Sequence, residues 1–322
     1  MKFFSRLLFV GLAATFAISP ALAQTYPSHP VRIVVPFAAG GPADIYARYI
    51  GQRLQDALGQ PFIVDDHPGA GSVIGTDIVA KAPADGYTLL MMSNTHTVNE
   101  SLLLHKPFNL LRDFVSVAPV NYSDLVLVVH PSVPANSLKE LIDLAKSRPG
   151  KLNYASSGPG TPYHLAGELF KTMAGLDIVH VPYKGSSGAR TDVIGGQVQM
   201  MFDAVTTMAP QVLSGKVRAI GTTGKSRSAV LPEVPTMAEA GLPGYETTIW
   251  LGIMAPAGTP TAVVEKLNAE INKIVRNPEV KAEWSKQGAE SMSMTAEEFV
   301  QFVREDIAKW AKVVQVSGAK AD

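Results

Sequence analysis

The chain has 322 residues, of which 28 are basic and 28 acidic, and it contains no cysteine. Without cysteine it forms no disulfide, uses no thiol nucleophile and has no cysteine metal site. No cluster of lysine and arginine stands out, so neither a nucleic acid nor an anionic membrane is indicated as a partner.

The first 23 residues have the pattern of a secretory signal peptide. Lys2 and Arg6 give a positive start, residues 7–18 are apolar, and Ala21-Leu22-Ala23 is a small-residue cleavage site. The apolar stretch is shorter than the roughly 20 residues that span a bilayer. We therefore expect cleavage before Gln24 and release of the mature protein into the periplasm, with an uncleaved anchor as the alternative.

Short β-branched runs alternate with helical stretches at the start of the mature chain. In the first helix Ile50, Leu54 and Leu58 recur at four-residue spacing and form one apolar stripe. Strand–helix–strand alternation favours a mainly parallel, doubly wound sheet. Strands are predicted at 31–35, 62–64, 88–92 and 114–120, and helices at 44–58 and 73–81.

The same alternation restarts in the middle of the chain. A strand at 125–129 ends at His130-Pro131, and Ser137 caps the next helix with Glu140 in capping-box register. A strand at 247–254 then leads into three amphipathic helices that finish the chain. Further strands are predicted at 152–155, 177–181, 198–202 and 217–222, and helices at 137–147, 163–174, 188–194, 208–213, 260–276, 278–287 and 295–317.

About 300 mature residues are enough for two domains. We predict that residues 24–124 plus 247–322 form domain I and that residues 125–246 form domain II. The chain then passes between the domains near Tyr122 and Glu246, on two adjacent strands. Such a pair can act as a hinge, and ligands prefer clefts between domains.

The segment from Pro36 to Asp44 carries the strongest binding signal. It follows a strand, contains Gly40-Gly41 and opens a helix. Glycines let backbone amides turn towards one point, and a helix start has unpaired N–H groups and a positive dipole end, so the segment predicts an anion site. Asp44 is interpreted as a helix cap, and a plain strand–turn–helix connection is the alternative.

Two further strand-to-helix loops rich in glycine and hydroxyl residues lie in the second half, at 156–164 and 183–188. In open α/β sheets, ligands bind at the carboxyl ends of strands, where such loops lie. We therefore predict that loops of both domains face one cleft. Asp203 follows a strand, and we interpret it either as a cleft residue or as a cap of the next helix.

Competing motifs are weak. Residues 69–75 read GxGxxxG, which differs from the dinucleotide-binding GxGxxG, and no acidic residue follows at the ribose distance. No GxSxG or HExxH occurs, and no two histidines have metal-ligand spacing. His96 and His164 are placed on cleft loops and interpreted as hydrogen-bonding side chains. We accordingly predict no cofactor, no metal and no catalytic residue.

In these motifs the chain resembles the Bug family of extracytoplasmic solute receptors, the TctC-like component of tripartite tricarboxylate transporters. The similarity extends in order over nearly the whole mature chain. Its motifs are Pro36-Phe37, Gly40-Gly41, Asp44, Ala47-Arg48, Gly69-Ala70-Gly71, Ala84-Asp85-Gly86-Tyr87-Thr88, His164-Leu165-Ala166-Gly167-Glu168, Val181-Pro182-Tyr183-Lys184-Gly185, Gly196-Gln197-Val198, Leu231-Pro232-Glu233-Val234-Pro235-Thr236, Trp250 and Ala255-Pro256-Ala257-Gly258-Thr259-Pro260.

The resemblance implies an α/β, two-lobed clamshell like the periplasmic binding proteins, in which each lobe is a mixed or mostly parallel sheet flanked by helices and two strands form the hinge. It also implies a bound carboxylate. The ligand-binding residues expected on these grounds are Phe37, Ala39, Gly40, Gly41, Ala43, Asp44, Ser93, Thr95, His96, Ser156, Gly160, Thr161, His164, Lys184, Ser186 and Asp203.

Three residues depart from the family pattern. Ala43 stands where a Thr or Ser is common, and Pro159 removes one donor from the second loop. Arg190 stands where an aliphatic residue is usual. We interpret Arg190 either as a contact for a second anionic group of the ligand or as a solvated surface residue.

The sequence thus predicts a monomeric periplasmic receptor that captures a small mono- or dicarboxylate, aliphatic or aromatic, and delivers it to membrane transporter subunits. The mature protein is expected to bind no nucleic acid and not to be embedded in the membrane. Two alternatives stay open. One is an exported hydrolase or lyase that uses His96 or His164, and the other is a sensor subunit that presents the liganded lobes to a signalling partner.

Overall fold

The computed structural model describes residues 26–103, 105–317 and 319, so the predicted signal peptide lies outside the described residues. Helices and strands alternate along the chain. The strands are β1 (Val31–Val35), β2 (Phe62–Asp66), β3 (Thr88–Ser93), β4 (Phe114–Val129), β5 (Asn153–Ser156), β6 (Val179–Pro182), β7 (Met200–Ala204), β8 (Arg218–Thr222), β9 (Thr248–Pro256) and β10 (Ala289–Ser291).

The helices flank these strands. They are α1 (Pro42–Leu58), α2 (Val73–Ala80), α3 (Asn94–Leu102), α4 (Leu110–Asp113), α5 (Leu138–Ser147), α6 (Pro162–Ala174), α7 (Ser186–Ile194), α8 (Val205–Leu213), α9 (Thr261–Arg276), α10 (Pro278–Ser285) and α11 (Ala296–Ser317). Within this part of the chain, none of them combines the length and the apolar character that crossing a bilayer requires.

The strands form two sheets that share β4. In the first sheet the order is β2-β1-β3-β9-β4, with β10 added beside β4; β1, β2 and β3 are parallel and β9 is antiparallel to its neighbours. In the second sheet β7 and β8 flank the second half of β4, and β5 and β6 continue from β7. The predicted fold class, an α/β protein with mixed sheets flanked by helices, is confirmed.

The sequence prediction that residues 114–120 and 125–129 are separate strands is wrong. The polar run Asn121-Tyr122-Ser123-Asp124 resembles a turn, yet it continues β4 without interruption. On one side it pairs with β9, where Tyr122 lies opposite Trp250, and on the other it pairs with β10. Two neighbouring strands therefore satisfy its backbone groups, and the chain does not need to turn there.

Each sheet has its own apolar core. Ile50 and Leu54 of the predicted helical stripe are fully buried beside Ile33 and Leu89 of the first sheet. A separate core around Leu127, Phe170 and Phe202 packs on the second sheet. Another apolar cluster joins the two halves, because Leu165 of α6 packs with Val98 of α3 and Trp310 of α11.

Candidate functional site

A cavity lies between the two sheets, and its space, including the part open to solvent, is about 330 Å³. Elements of the first sheet form one wall, and the loops that follow β5 and β6 form the other. The lining residues are Phe37, Ala38, Gly41, Pro42, Ala43, Ser93, Thr95, Ser157, Pro162, Tyr163, Ser186, Ile249 and Leu251.

Four helices begin at this cavity. α1 and α6 each have proline at the first helical position, with Gly41 and Thr161 as N-caps, and α3 and α7 begin after Ser93 and Gly185. The first turn of a helix has N–H groups without partners inside the helix, and its dipole end is positive. Helices α1 and α3 belong to the half with the first sheet, and α6 and α7 belong to the half with the second. The N-terminal ends of helices from both halves therefore converge on the cavity. This arrangement attracts an anion.

The cavity wall is electrically neutral apart from those helix ends. None of the thirteen lining residues described above is Lys, Arg, His, Asp or Glu. The polar side chains are hydroxyls, and the Ser93 hydroxyl donates to Thr95 Oγ1 at 3.0 Å. A wall of hydroxyls and backbone N–H groups binds a negatively charged oxygen by hydrogen bonds, with no ion pair.

Among the described residues the Tyr163 hydroxyl has one hydrogen-bonding neighbour, the Ser186 side chain, whose effect on the phenol is to lower its pKa. The Tyr163 side chain is only 3 % exposed and lines the cavity beside Ser186. Burial raises the pKa of this phenol well above its ordinary value, so the group keeps its proton. It is therefore a hydrogen-bond donor for a molecule in the cavity.

Asp44 faces away from the cavity. One carboxylate oxygen accepts the Gly40 N–H at 2.9 Å, and the other pairs with the Arg48 guanidinium at 2.6 Å. Gly40 has a φ of +80°, a conformation that glycine adopts without strain. The N-cap of α1 is Gly41, which receives no side-chain cap bond, so Asp44 does not cap the helix as predicted; it lies in the first turn and fixes the loop that leads into α1.

The loop after β5 is held by its own side chains. Ser156 Oγ accepts the Gly158 N–H at 3.1 Å, and Thr161 Oγ1 donates to Gly158 O at 2.7 Å. His164 Nδ1 accepts the Gly160 N–H at 3.2 Å, and its ring stacks on His180. These predicted site residues shape the loop, while their neighbours Ser157, Pro162 and Tyr163 line the cavity.

His96 is a buried structural residue in the first turn of α3. Its Nδ1 accepts the Ser93 N–H at 3.1 Å, and its Nε2 lies 3.0 Å from the Thr76 hydroxyl. Because Thr76 donates its own proton to Ser72 O, the Nε2 atom is the donor to Thr76. Burial lowers the pKa of His96 to about 4. The ring is thus neutral and caps the helix. The prediction that His96 lies on a cleft loop is wrong.

Asp203 and Arg190 lie behind the second wall. Arg190 Nε donates to Asp203 Oδ2 at 2.8 Å, and Arg190 Nη2 donates to the Ser186 hydroxyl at 3.4 Å. The other Asp203 oxygen accepts the Ala204 N–H at 2.9 Å. Burial raises the pKa of the Asp203 carboxyl, while Arg190 acts against that rise. The pair therefore contacts the cavity through Ser186, and neither residue lines it.

Lys184 borders a wider opening of about 1000 Å³ beside the cavity, next to Gly71 and Pro159. Its carbonyl accepts the Ala38 N–H at 3.2 Å, a backbone bond between the two halves of the fold. The GxGxxxG motif lines the same opening, and the Asn99 amide donates to Gly71 O at 2.8 Å. The motif therefore forms a tight turn against the second half.

The structure brings six of the sixteen predicted site residues to the cavity wall: Phe37, Gly41, Ala43, Ser93, Thr95 and Ser186. It places Ala39, Gly40, Asp44, His96, Ser156, Gly160, Thr161, His164, Lys184 and Asp203 away from that wall. Two further lining residues, Ile249 and Leu251, lie on strand β9 outside the predicted loops and form the floor of the cavity. Residues two apart in a strand have their side chains on the same face, so the predicted strand at 247–254 already indicated that these two side chains lie together.

Comparison with known proteins places this site in a family. A model of the family described as "Tripartite tricarboxylate transporter family receptor" matches residues 46–319. This chain belongs to the TctC family. Protein BugT of Bordetella pertussis is 39% identical over 313 residues, which cover 97% of this chain and 96% of BugT. The predicted resemblance to the Bug family is therefore confirmed.

Solved TctC-like structures share the fold over nearly the whole chain. R. palustris Rpa4515 with adipate has a TM-score of 0.89 at 35% identity and covers 92% of this chain and 99% of its own. MatC of Rhodopseudomonas palustris with bound malate has a TM-score of 0.86 at 32% identity, over 90% of this chain and 100% of its own. Both neighbours thus bind carboxylates, and TctC members are solute-binding receptors.

Proposed function

We propose that this protein captures a small carboxylate between its two halves and delivers it unchanged to a tripartite tricarboxylate-type membrane transporter. The observation that carries the proposal is the convergence of four helix starts on a cavity without charged side chains. The two similar structures that contain adipate and malate support the ligand class.

The carboxylate is proposed to bind at the start of α1. The first bond of that helix runs from the Ile45 N–H to Gly41 O, so the Ala43 N–H has no partner within the helix and lies at the cavity. Tyr163 and Ser186 offer hydroxyls from the opposite wall. A ligand held by both walls stabilises the closed arrangement by its differential affinity for it.

The two sheets are proposed to move as lobes with the predicted boundaries, residues 24–124 plus 247–322 and residues 125–246. Strands β4 and β9 pair from Phe114 opposite Pro256 to Asp124 opposite Thr248, and they carry the chain between the lobes. A hinge of two paired strands bends with little loss of packing in either core. The signal-peptide pattern and the family support a periplasmic location and a transporter as the partner.

Thermal unfolding of the mature protein with a panel of carboxylic acids tests the proposal. A ligand at about 100 times its dissociation constant adds about 2.7 kcal/mol of stability and raises the midpoint. We expect a raised midpoint with at least one carboxylate and none with its amide, because the amide lacks the charge that the helix ends attract. Mass spectrometry of the recovered ligand should show it unchanged, whereas a product would indicate an enzyme.

Ser186→Ala and Ser187→Ala form a matched pair for the position of the ligand. Ser186 lines the cavity, and its neighbour Ser187 does not. We expect Ser186→Ala to weaken binding of the acid found in the panel by about tenfold, the usual loss for a hydrogen bond to a charged group. Ser187→Ala should bind as the unmodified protein does. Equal affinities of both variants, measured by calorimetry, would place the ligand elsewhere.

A further inference from the structure

The cavity wall offers no carboxylate to a positively charged ligand group, because none of its described lining residues is Asp or Glu. Two acidic side chains behind the wall, Asp44 and Asp203, are engaged elsewhere, Asp44 with Arg48 and Asp203 with Arg190. The ends of the four helices are positive as well. An ammonium group on the ligand would lose its hydration at this wall and gain no carboxylate in return.

Of these two carboxylates, Asp203 lies on the side of Ser186 and Tyr163. Its ion pair with Arg190 neutralises its charge. The Asp203 side chain is fully buried, and the Arg190 side chain is 14% exposed. Arg190 bridges Asp203 and Ser186, and Ser186 and Tyr163 both line the cavity. Without the guanidinium, the carboxylate would be a buried, unpaired charge directly behind these two hydroxyls.

We infer that Arg190 determines the ligand class by neutralising Asp203, so that the site accepts carboxylic acids with hydroxyl or unsubstituted bodies and rejects the same acids carrying an ammonium group. The inference rests on the proposed function. Arg190 acts through Ser186 and Asp203, so it is a positioning residue. By donating to Ser186 Oγ it also fixes the position of that hydroxyl in the cavity wall.

Calorimetry with matched acid pairs tests the inference. Each acid of the panel that binds is titrated beside its 2-amino analogue, beginning with malate against aspartate and adipate against 2-aminoadipate. We expect the amino analogue to bind roughly 100-fold more weakly, because its ammonium group is buried without a carboxylate partner. Affinities within about threefold of each other would overturn the assignment of Arg190.

Two variants separate the charge from the fold. Arg190→Met frees the Asp203 carboxylate, and we expect it to improve the relative affinity for the amino analogue by at least about tenfold. The double variant Arg190→Met with Asp203→Asn removes both charges and should reject the amino analogue as the unmodified protein does. It also remains measurable if the single variant does not fold. A double variant that accepts the amino analogue would contradict the inference.

Failure of the proposed function gives a different result. A protein that binds no carboxylate in the panel contradicts the receptor proposal, and the role of Arg190 falls with it. A protein that binds an acid and its amino analogue equally remains a carboxylate receptor and contradicts only the inference about Arg190. The two failures are therefore distinguished by the acid titration alone.

Discussion

At the scale of single residues, His96 shows how burial changes the chemistry of a side chain. The sequence Ser93-Asn94-Thr95-His96 has the spacing of a capping box, with histidine where glutamate or glutamine is usual. The ring accepts the Ser93 N–H only while Nδ1 carries no proton. The same burial that lowers its pKa to about 4 therefore links the start of α3 to pH.

We predict that His96 makes the protein less stable as the pH falls from about 6.5 to 4. In this range the unfolded chain binds a proton at His96 and the folded protein does not, so protonation favours unfolding, by up to about 3 kcal/mol. The variant His96→Gln keeps an acceptor for the Ser93 N–H and should lose this dependence. Urea unfolding of both proteins at several pH values measures the difference, and parallel curves would contradict the prediction.

Asp124 in β4 acts in the opposite direction. Burial, Glu246 and Glu290 raise the pKa of its carboxyl to about 6. Between pH 4 and 6 the folded protein therefore binds a proton that the unfolded chain does not, and this contribution to stability is lost as the pH rises. The variant Asp124→Asn should have a free energy of unfolding that depends less on pH in that range. An unchanged slope in urea unfolding would show that the carboxyl titrates normally.

At the scale of loops and helices, the two halves approach each other at glycines. A Cβ atom added at Gly185 would lie 2.7 Å from Ala38 Cβ and 2.9 Å from Ala38 N, across the cleft. One added at Gly71 would lie 2.7 Å from Pro159 O. The first-turn residues of α1 and α7 therefore come together only because these loops have no side chain at the contact.

Gly185→Ala should prevent closure while leaving both cores intact. The φ of Gly185 is 163°, an extended backbone that alanine also adopts, so the cost arises only in the closed arrangement. We expect an affinity loss of about tenfold or more, because binding must then work against the clash with Ala38. Gly188→Ala is the control, since its Cβ would meet only Tyr183, at 3.4 Å, in the same half of the fold. Equal affinities of the two variants would contradict this account.

At the scale of the whole molecule, α11 ties the two halves together. It packs on both α3 and α6, and Trp310 meets Leu165 and Val98 in one apolar cluster. The Asp306 carboxylate fixes the same helix by accepting from Thr97 at 2.6 Å and from the Trp250 indole at 3.1 Å. Under the proposed movement of the two lobes, this apolar contact stabilises the closed arrangement in addition to any ligand.

Leu165→Ala should shift the ligand-free protein towards a more open shape. The truncation costs about 2–5 kcal/mol of stability, as buried leucines do, but part of that loss falls on the contact between the halves. Leu141→Ala is the control, because Leu141 is equally buried inside the core of the second sheet. X-ray scattering should give a larger radius of gyration for Leu165→Ala than for Leu141→Ala. Identical radii would show that the cluster does not hold the halves together.

The sequence by itself predicted the fold class, the family and the loops that border the cavity. These features depend on local patterns, each contained in one segment of the chain: the strand–helix alternation, the stripe through Ile50 and Leu54, and the glycine-rich helix starts. The continuous strand β4 could not be read in this way. Its polar run lies in a strand only because β9 and β10 supply partners from more than 100 residues away in the chain.

The tertiary structure alone decided which residues face the cavity. The sequence marked the loop with Ser156 and His164, but side-chain direction within a loop depends on which hydrogen bonds close it, and these two residues turn inward to hold it. It marked Asp203 and Arg190 without showing that they neutralise each other at 2.8 Å. The electrostatic character of a binding site depends on the distances between charged groups from segments far apart in the sequence. Those distances are set only when the chain has folded.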